Sequence, residues 1–159
     1  MKTMFYYQTP IGSLGIVENN NALTHLFFEG EPCPADALVE ETDLLREAHR
    51  QLQLYFAGQL ESFTLPLAPS GTDYMQRVWE KLRAIPYGET RSYREIADSL
   101  GNPKAARAVG LANNKNPLPL FIPCHRVIGA NQKLVGYRGG LNVKELLLNL
   151  EQQRRVQSS

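Results

Sequence analysis

Residues 116–129 read Asn-Pro-Leu-Pro-Leu-Phe-Ile-Pro-Cys-His-Arg-Val-Ile-Gly. Three prolines fix φ and remove three N–H donors, so this backbone is stiff and cannot form a central strand. Its apolar side chains must nonetheless be buried, so we expect a rigid segment that crosses the protein interior: Leu118, Leu120, Phe121 and Ile122. The segment presents Cys124, His125 and Arg126 consecutively. A thiol, an imidazole and a guanidinium on a braced backbone suggest a reactive site, although free cysteines are usually small buried hydrophobes.

The composition is that of an ordinary soluble globular protein. The 159 residues are 43% hydrophobic and 21% charged, enough to fold without disulfide staples. Two cysteines, Cys33 and Cys124, with three histidines are a poor disulfide framework and too few ligands for a zinc cage. We therefore expect a reducing compartment and no structural metal. Because neither a signal peptide nor a long apolar run is present, the sequence predicts a cytoplasmic protein without a membrane segment.

The charge is unevenly distributed along the chain. Residues 1–70 hold 3 Lys and Arg against 9 Asp and Glu, a net charge of −6, whereas residues 71–159 hold 14 against 7, a net charge of +7. Such a division indicates that one half meets a polyanion, although solvated surface charge can also segregate by chance. The sign changes after the turn-like Ala68-Pro69-Ser70-Gly71, so we place a domain boundary there. The predicted domains are residues 1–70 and 71–159.

The acidic half predicts a small α+β domain. Alternating apolar residues and turn signals favour an antiparallel meander of three strands at 3–8, 12–17 and 23–28, and residues 63–67 are compatible with a further strand. A proline-containing loop at 29–35 carries Cys33, and apolar spacing favours one or two helices over 36–56. His25 and His49 fit ordinary surface or core positions better than ligand positions. This half therefore shows no recognisable chemistry.

The basic half begins with a helix and continues with a helix-turn-helix. Asp73, with Gln76 three residues later, can cap a helix whose apolar stripe is Met75, Val78, Trp79 and Leu82. Ser92-x-x-Glu95 is a capping box for a short helix closed by Gly101.

Asn102 then serves as the next N-cap, with Pro103 in the first helical position of a helix over 104–112. Two short helices joined by a glycine turn predict a helix-turn-helix, and the basic surroundings favour DNA binding over a hairpin in an enzyme core.

The second of these helices is alanine-rich, which is unusual for a protein that reads the major groove. Its expected exposed face offers Ala105, Ala106, Ala108 and Ala112, with few long side chains besides Lys104 and Arg107. Small side chains suit close approach to the minor groove, which is about 6 Å wide. Minor-groove proteins often insert a wedge between bases, and Arg107 is the natural candidate. We therefore expect double-stranded DNA to be held with little sequence reading.

A reactive cysteine needs thiolate character, which cationic groups or a histidine supply. Because adjacent side chains rarely point the same way, we expect His125 to act on Cys124 through a water. The histidine also needs a group to orient it. Glu151, at the end of a predicted helix over 141–150, is the best-placed carboxylate.

The sequence resembles the O6-alkylguanine-DNA alkyltransferases, also called methylated-DNA–protein-cysteine methyltransferases. The resemblance covers residues 71–151 with order and spacing intact, and residues 1–70 only in outline. It lies in four motifs: Ile-Pro-Cys-His-Arg-Val-Ile at 122–128, Gly-Asn-Pro-Lys-Ala-Ala-Arg-Ala-Val-Gly at 101–110, Asn-Pro at 116–117, and Gly-Tyr-Arg-Gly-Gly-Leu at 136–141.

The resemblance implies an α+β fold, with a ribonuclease-H-like N-terminal domain and a mostly helical, winged helix-turn-helix-like C-terminal domain. It also implies an activity without a cofactor. A monomer would flip an O6-alkylated guanine, or an O4-alkylated thymine, out of the duplex and take the alkyl group onto Cys124. Some relatives hold zinc in the N-terminal domain through several Cys and His, which this chain lacks, so no metal is expected.

The resemblance also implies roles for individual residues. His125 would be the base, Glu151 would hold it, and Asn116 would be the hinge between the recognition helix and the active-site segment. Arg107 would fill the vacated stack and Tyr93 would support extrusion. The full DNA-binding set is expected to be Arg107, Tyr93, Lys104, Ala105, Ala106, Asn102 and Arg126. The substrate pocket is expected to comprise Tyr93, Val127, Tyr137, Arg138 and Gly139.

Alkyl transfer to sulfur has a chemical consequence that separates it from rival functions. A thioether does not hydrolyse readily, so each protein molecule would react only once. A cysteine hydrolase, in contrast, would turn over repeatedly on acyl substrates. A non-catalytic lesion-binding protein would not need Cys124. A transcription regulator that senses alkylation or oxidation would need a further module, for which 159 residues leave little room.

Overall fold

A computed structural model describes residues 1–130 and 133–158, with side chains described as far as residue 153. The chain divides into two compact units, Met1–Ser70 and Gly71–Ser159. The first unit combines a small sheet with a helix and the second is mostly helical, so the predicted α+β class is confirmed. Among the described residues, no helix is long and apolar enough to cross a membrane.

The N-terminal unit is built on a four-stranded sheet. Its strands are β1 (Thr3–Thr9), β2 (Gly12–Asn19), β3 (Ala22–Phe27) and β4 (Leu38–Val39), arranged in the order β3-β2-β1-β4. Strands β1 to β3 form the expected antiparallel meander, and β4 runs parallel to β1. Asn20 and Asn21 have φ of 54° and 63°, the left-handed values of the tight turn between β2 and β3. The apolar face of α1 (Asp43–Phe56) is buried through Leu45, Ala48, Leu52 and Tyr55.

Two predictions for this unit were wrong. The helix predicted over 36–56 begins only at Asp43, because Leu38 and Val39 pair with β1 and Thr42 caps the helix by accepting from the Leu45 N–H at 3.2 Å. The strand predicted at 63–67 is not a regular strand, since only Leu67 forms a bridge, to Leu23. The loop at 29–35 contains no helix or strand, as expected.

The C-terminal unit contains four helices and two short strands in its described part. They are α2 (Asp73–Arg83), β5 (Arg91–Ser92), α3 (Tyr93–Ser99), α4 (Ala106–Asn114), β6 (Val127–Ile128) and α5 (Leu141–Ser158). Val78, Trp79 and Leu82 form the buried stripe of α2, as predicted. Its N-cap is Thr72 rather than Asp73, because the Thr72 hydroxyl accepts from the Met75 N–H at 3.1 Å.

The helix-turn-helix is formed by α3 and α4, but α4 begins later than predicted. The capping box of α3 is confirmed, with Ser92 and Glu95 each accepting the other's backbone N–H at 3.0 Å. Asn102 does not cap α4. Its side chain accepts from the Lys104 N–H at 3.2 Å, which makes a local turn, and the helix starts at Ala106 without a side-chain cap.

The proline-rich segment does cross the interior of this unit. Its apolar side chains are at most 5% exposed: Leu118, Leu120, Phe121 and Ile122. The segment leads into a 3₁₀ turn, Cys124–Arg126, and then into β6, which pairs in parallel with β5 at the start of α3. The fold therefore places the turn Cys124–Arg126, called the thiol turn below, beside the helix-turn-helix.

Candidate active site

Cys124 is held at the start of the 3₁₀ turn with its side chain buried. Its N–H donates to the Ile122 carbonyl at 2.7 Å, and the residue is 4% exposed. Burial raises the pKa of this thiol above its ordinary value, while the Asn116 side chain and the charges of Arg138 and Lys144 oppose that rise. Because burial prevails, the resting group is a thiol, and a nucleophilic thiolate requires a base.

His125, the middle residue of the 3₁₀ turn, forms a buried pair with Glu151. His125 Nε2 lies 2.7 Å from Glu151 Oε2, and the two side chains are at most 1% exposed. A carboxylate can only accept, so Nε2 carries a proton and Nδ1 of the neutral ring is an acceptor. Nδ1 is buried and has no hydrogen-bond partner among the described residues. The pair therefore provides an oriented imidazole with one nitrogen free to receive a proton.

Arg126 completes this cluster instead of facing DNA. Its Nε and Nη2 donate to Glu151 at 2.8 and 3.1 Å, its Nη1 donates to the Ile85 carbonyl at 2.8 Å, and the residue is 7% exposed. A buried guanidinium with these partners cannot reach a duplex, so the expectation that Arg126 binds DNA was wrong. Burial would raise the pKa of Glu151, but His125 and Arg126 outweigh it and hold that pKa at about 2.

Asn116 follows α4, and its side chain hydrogen-bonds the backbone of the proline-rich segment that leads to Cys124. Its Nδ2 donates to the Ile122 carbonyl at 2.8 Å, and its Oδ1 accepts from the Leu118 N–H at 2.9 Å. Its own carbonyl accepts from Arg138 Nη1 at 2.7 Å. Residue 116 is 1% exposed, so these bonds are shielded from water.

A small cavity opens onto the thiol. Its volume is about 10 Å³, and it is lined by Asn113, Asn114, Asn116, Pro119, Cys124, Tyr137 and Arg138. The lining therefore includes Tyr137 and Arg138 of the predicted pocket. A space of this size holds no more than one water.

Three residues of the predicted pocket are not among those that line this cavity: Tyr93, Val127 and Gly139. The Tyr93 hydroxyl donates to the Val135 carbonyl at 3.3 Å, and Cys124 is close enough to Tyr93 to affect its pKa, which is raised chiefly by burial. Val127 is fully buried, with its carbonyl accepting from Lys144. Gly139 is half-buried in the turn before α5.

Sequence reasoning missed two polar residues of the site. Asn113 lies on the buried face of α4, one turn after Val109, and its helical phase could have identified it. Lys144 is fully buried in α5, with Nζ donating to the Val127 carbonyl at 2.6 Å and the Val135 carbonyl at 3.0 Å. Burial lowers the pKa of Lys144 to about 8, against an opposing effect of Cys124. No local pattern distinguishes this lysine from a surface lysine.

The residues expected to face DNA on and before α4 are only partly exposed. Arg107, Lys104 and Asn102 are exposed, and Ala105, Ala106 and Ala108 are half-buried. Ala112 was placed on this face wrongly, because it is 2% exposed and its carbonyl accepts from the Trp79 indole N–H at 2.9 Å. Leu111, one turn after Arg107, is 58% exposed. Within residues 1–130 and 133–158, no three His, Cys, Asp or Glu side chains converge as a metal-binding group.

Comparisons with known proteins agree on one family across nearly the whole chain. Residues 4–69 match the ribonuclease-like domain of 6-O-methylguanine DNA methyltransferase, and residues 73–153 match its DNA binding domain. A methylated-DNA–protein-cysteine methyltransferase of Methanosarcina acetivorans is 52% identical over 153 residues, covering 93% of this chain and 98% of the relative. A constitutive one of Bacillus subtilis is 48% identical over 158 residues, covering 93% and 96%.

The crystal structure of Mycobacterium tuberculosis OGT in complex with DNA is also similar. It superposes with a TM-score of 0.91 at 47% identity, covering 96% of this chain and 94% of that one.

Proposed function

The chain belongs to the O6-alkylguanine-DNA alkyltransferase family of methylated-DNA–protein-cysteine methyltransferases, and on that premise we propose that Cys124 receives the alkyl group. The family membership makes the protein a DNA-repair enzyme that acts by alkyl transfer. The observation that carries the proposal is the buried thiol beside an oriented imidazole whose Nδ1 is free among the described residues. All the groups needed for transfer lie in residues 71–159, so we assign catalysis and DNA binding to that unit.

The reaction is a displacement at the alkyl carbon. Through a water, the thiol proton passes to His125 Nδ1, and Glu151 stabilises the resulting imidazolium. The sulfur then bonds to the alkyl carbon while the bond from that carbon to O6 breaks. The electron pair moves into the purine, which takes up a proton to become unmodified guanine. The product thioether does not hydrolyse, so each molecule acts once.

The base must leave the stack before this reaction can occur, since a side chain that is 4% exposed cannot reach a base inside a duplex. In the proposal, α4 enters the minor groove with little sequence reading. Arg107 fills the vacated stack, Tyr93 supports the extruded base, and Asn116 joins α4 to the thiol segment as a hinge. The protein acts on O6-alkylguanine, and on O4-alkylthymine where the pocket admits it, as a monomer in the cytoplasm.

The test is to incubate the protein with a duplex that carries one O6-methylguanine and to weigh the intact protein. We expect one added methyl group per molecule, located on Cys124 by peptide mapping. Cys124→Ala should lose transfer while still binding the lesion, and the matched control Cys33→Ser should transfer as the unchanged protein does. Methyl transfer to the Cys124→Ala protein would show that Cys124 is not the nucleophile. Repeated turnover by the unchanged protein would indicate a hydrolase.

A further inference from the structure

Arg126 binds the carboxylate of Glu151 with two of its three guanidinium nitrogens, away from solvent. Nε and Nη2 donate to the two carboxylate oxygens at 2.8 and 3.1 Å, and Nη1 donates to the Ile85 carbonyl at 2.8 Å. The guanidinium also lies over the Tyr87 ring, with 5.7 Å between Cζ and the ring centroid. Because an arginine in a protein stays protonated, it supplies this carboxylate with a permanent positive charge.

The same carboxylate also accepts a hydrogen bond from His125. Glu151 Oε2 lies 2.7 Å from His125 Nε2 and 3.1 Å from Arg126 Nη2. The buried cluster thus contains one anion and two groups that can balance its charge. The guanidinium always carries a charge, whereas the imidazole does so only when both of its nitrogens are protonated. Burying an unbalanced carboxylate is costly, but one cation is enough to balance it.

The charge of Arg126 decides the state in which the imidazole begins the reaction. At rest, the guanidinium and the carboxylate balance each other, and Cys124 and His125 are both neutral. Proton transfer from the thiol to Nδ1 creates one anion and one cation, so the net charge of the four side chains does not change. Without Arg126, a neutral imidazole would leave Glu151 as an unbalanced buried anion. The imidazole would then be protonated at rest, and Nδ1 could not accept the thiol proton.

Other groups around the cluster do not supply this charge. The Gly88 N–H donates to the carboxylate at 3.3 Å, but it is neutral. Burial raises the pKa of Tyr137 well above its ordinary value, so its hydroxyl is neutral too. Lys144 donates to two backbone carbonyls, those of Val127 and Val135.

We propose that Arg126 is a positioning residue whose charge keeps Glu151 ionised while His125 is still neutral, so that the imidazole begins the reaction as a proton acceptor. This inference rests on the proposed function, because it concerns the proton that leaves Cys124. Arg126 does not touch the substrate in this proposal. It acts through Glu151 on the base.

The experiment measures the single-turnover rate of methyl transfer from duplex O6-methylguanine as a function of pH. Arg126→Met removes the charge and keeps a long side chain. We expect the pH at which transfer becomes half-maximal to rise by about one to two units, because a buried neighbouring charge shifts a titration by that amount. Arg126→Lys, which keeps a positive charge, should reverse most of the shift. Arg91→Met breaks the partly buried ion pair of Arg91 with Glu89, and it should cause no shift.

Two further measurements separate this role from a merely structural one. Combining Arg126→Met with Glu151→Gln removes the cation and the anion together, so the half-maximal pH should return to the value of the unchanged protein or below it, even though the rate is lower. Lost packing around Arg126 would not be rescued in this way. Nitrogen NMR of the His125 ring at neutral pH should show one protonated nitrogen, Nε2, in the unchanged protein and two in Arg126→Met.

The outcomes distinguish this inference from the proposed function. A doubly protonated His125 ring in the unchanged protein at neutral pH would overturn the inference, even if Arg126→Met failed to fold. An Arg126→Met profile with the same half-maximal pH as the unchanged protein would overturn it as well. In both cases methyl transfer to Cys124 would continue and the proposed function would stand. The absence of transfer to the unchanged protein at every pH would overturn the proposed function itself.

Discussion

Arg107 is the exposed long side chain near the start of α4, among half-buried alanines. If it fills the space that the extruded base leaves, its loss should affect duplex substrates selectively. We expect Arg107→Ala to slow transfer from duplex O6-methylguanine on the order of a hundredfold, because unstacking a base costs a few kcal/mol. Transfer from the free base should be almost unchanged.

The comparison requires single-turnover rates on both substrates, with Arg94→Ala as the matched control. Arg94 is exposed on α3 and should be dispensable. Equal losses on duplex and free base would exclude the stacking role for Arg107.

Glu151 makes a pH-dependent contribution to stability whose sign can be derived. Its pKa falls from an ordinary 4.5 to about 2 in the folded protein, where His125 and Arg126 overcome the effect of burial. A carboxylate with a depressed pKa stabilises the fold above pH 4.5 and loses that contribution as the pH falls toward 2. The contribution amounts to about 3 kcal/mol by linkage.

We therefore expect the free energy of unfolding of the unchanged protein to fall more steeply between pH 4.5 and 2 than that of Glu151→Gln. Denaturant unfolding at a series of pH values measures both curves. Parallel curves would show that His125 and Arg126 do not hold the pKa of the Glu151 carboxyl below its ordinary value.

The residues of the thiol turn differ in how far their positions could be predicted. Cys124 and His125 are recognisable because a local motif carries them. The position of Arg126 depends on Glu151, which is 25 residues away, so its burial is visible only once the fold is known. Asn113 and Lys144 were missed for the same reason, since their importance comes from cavity and carbonyl contacts made across elements.

At the scale of elements, the Asn116 side chain braces the junction between α4 and the segment that carries Cys124. Asn116 satisfies the Ile122 carbonyl and the Leu118 N–H, both inside the protein. We expect Asn116→Ala to lower the free energy of unfolding by about 2–4 kcal/mol, because two buried polar groups lose their partner. The rate of methyl transfer should fall as well, since the segment that carries Cys124 loses its anchor.

Urea unfolding and single-turnover transfer together measure these effects. Asn149→Ala is the matched control, since Asn149 is exposed on α5 and should change stability by no more than about 0.5 kcal/mol. An Asn116→Ala protein as stable as this control would show that the junction is held by other contacts.

The sequence predicts whether a segment is a helix or a strand where its apolar periodicity is strong, but it does not predict the residue at which each helix begins. The stripe of α2 and the capping box of α3 are short-range signals, and both are present. Residues 38–39 became a strand because β1 offered a free edge, which is a long-range pairing. Asn102 carries the residue type of an N-cap, but its side chain bonds two residues ahead and closes a turn instead.

Across the whole molecule, charge is divided between the two units. The acidic unit has a net charge of −6 and the basic unit +7, so the overall +1 conceals a strongly basic DNA-binding half. Binding driven by phosphate neutralisation releases counterions, which makes the affinity fall as salt rises. A net charge near zero would by itself predict weak salt dependence. Binding governed by the basic unit therefore predicts a strong salt dependence, and binding governed by the overall net charge predicts a weak one.

We expect the logarithm of the DNA-binding constant to fall linearly and steeply with the logarithm of salt concentration, as measured by fluorescence anisotropy on an undamaged duplex. Lys104 is exposed beside α4, so Lys104→Ala should reduce that slope by about 1 through the loss of one phosphate contact. Arg50→Ala, an exposed change in the acidic unit where Arg50 pairs with Glu47, should leave the slope unchanged. If Arg50→Ala lowered the slope as much as Lys104→Ala, the response would follow total charge, and the local basic surface around α4 would not be the DNA site.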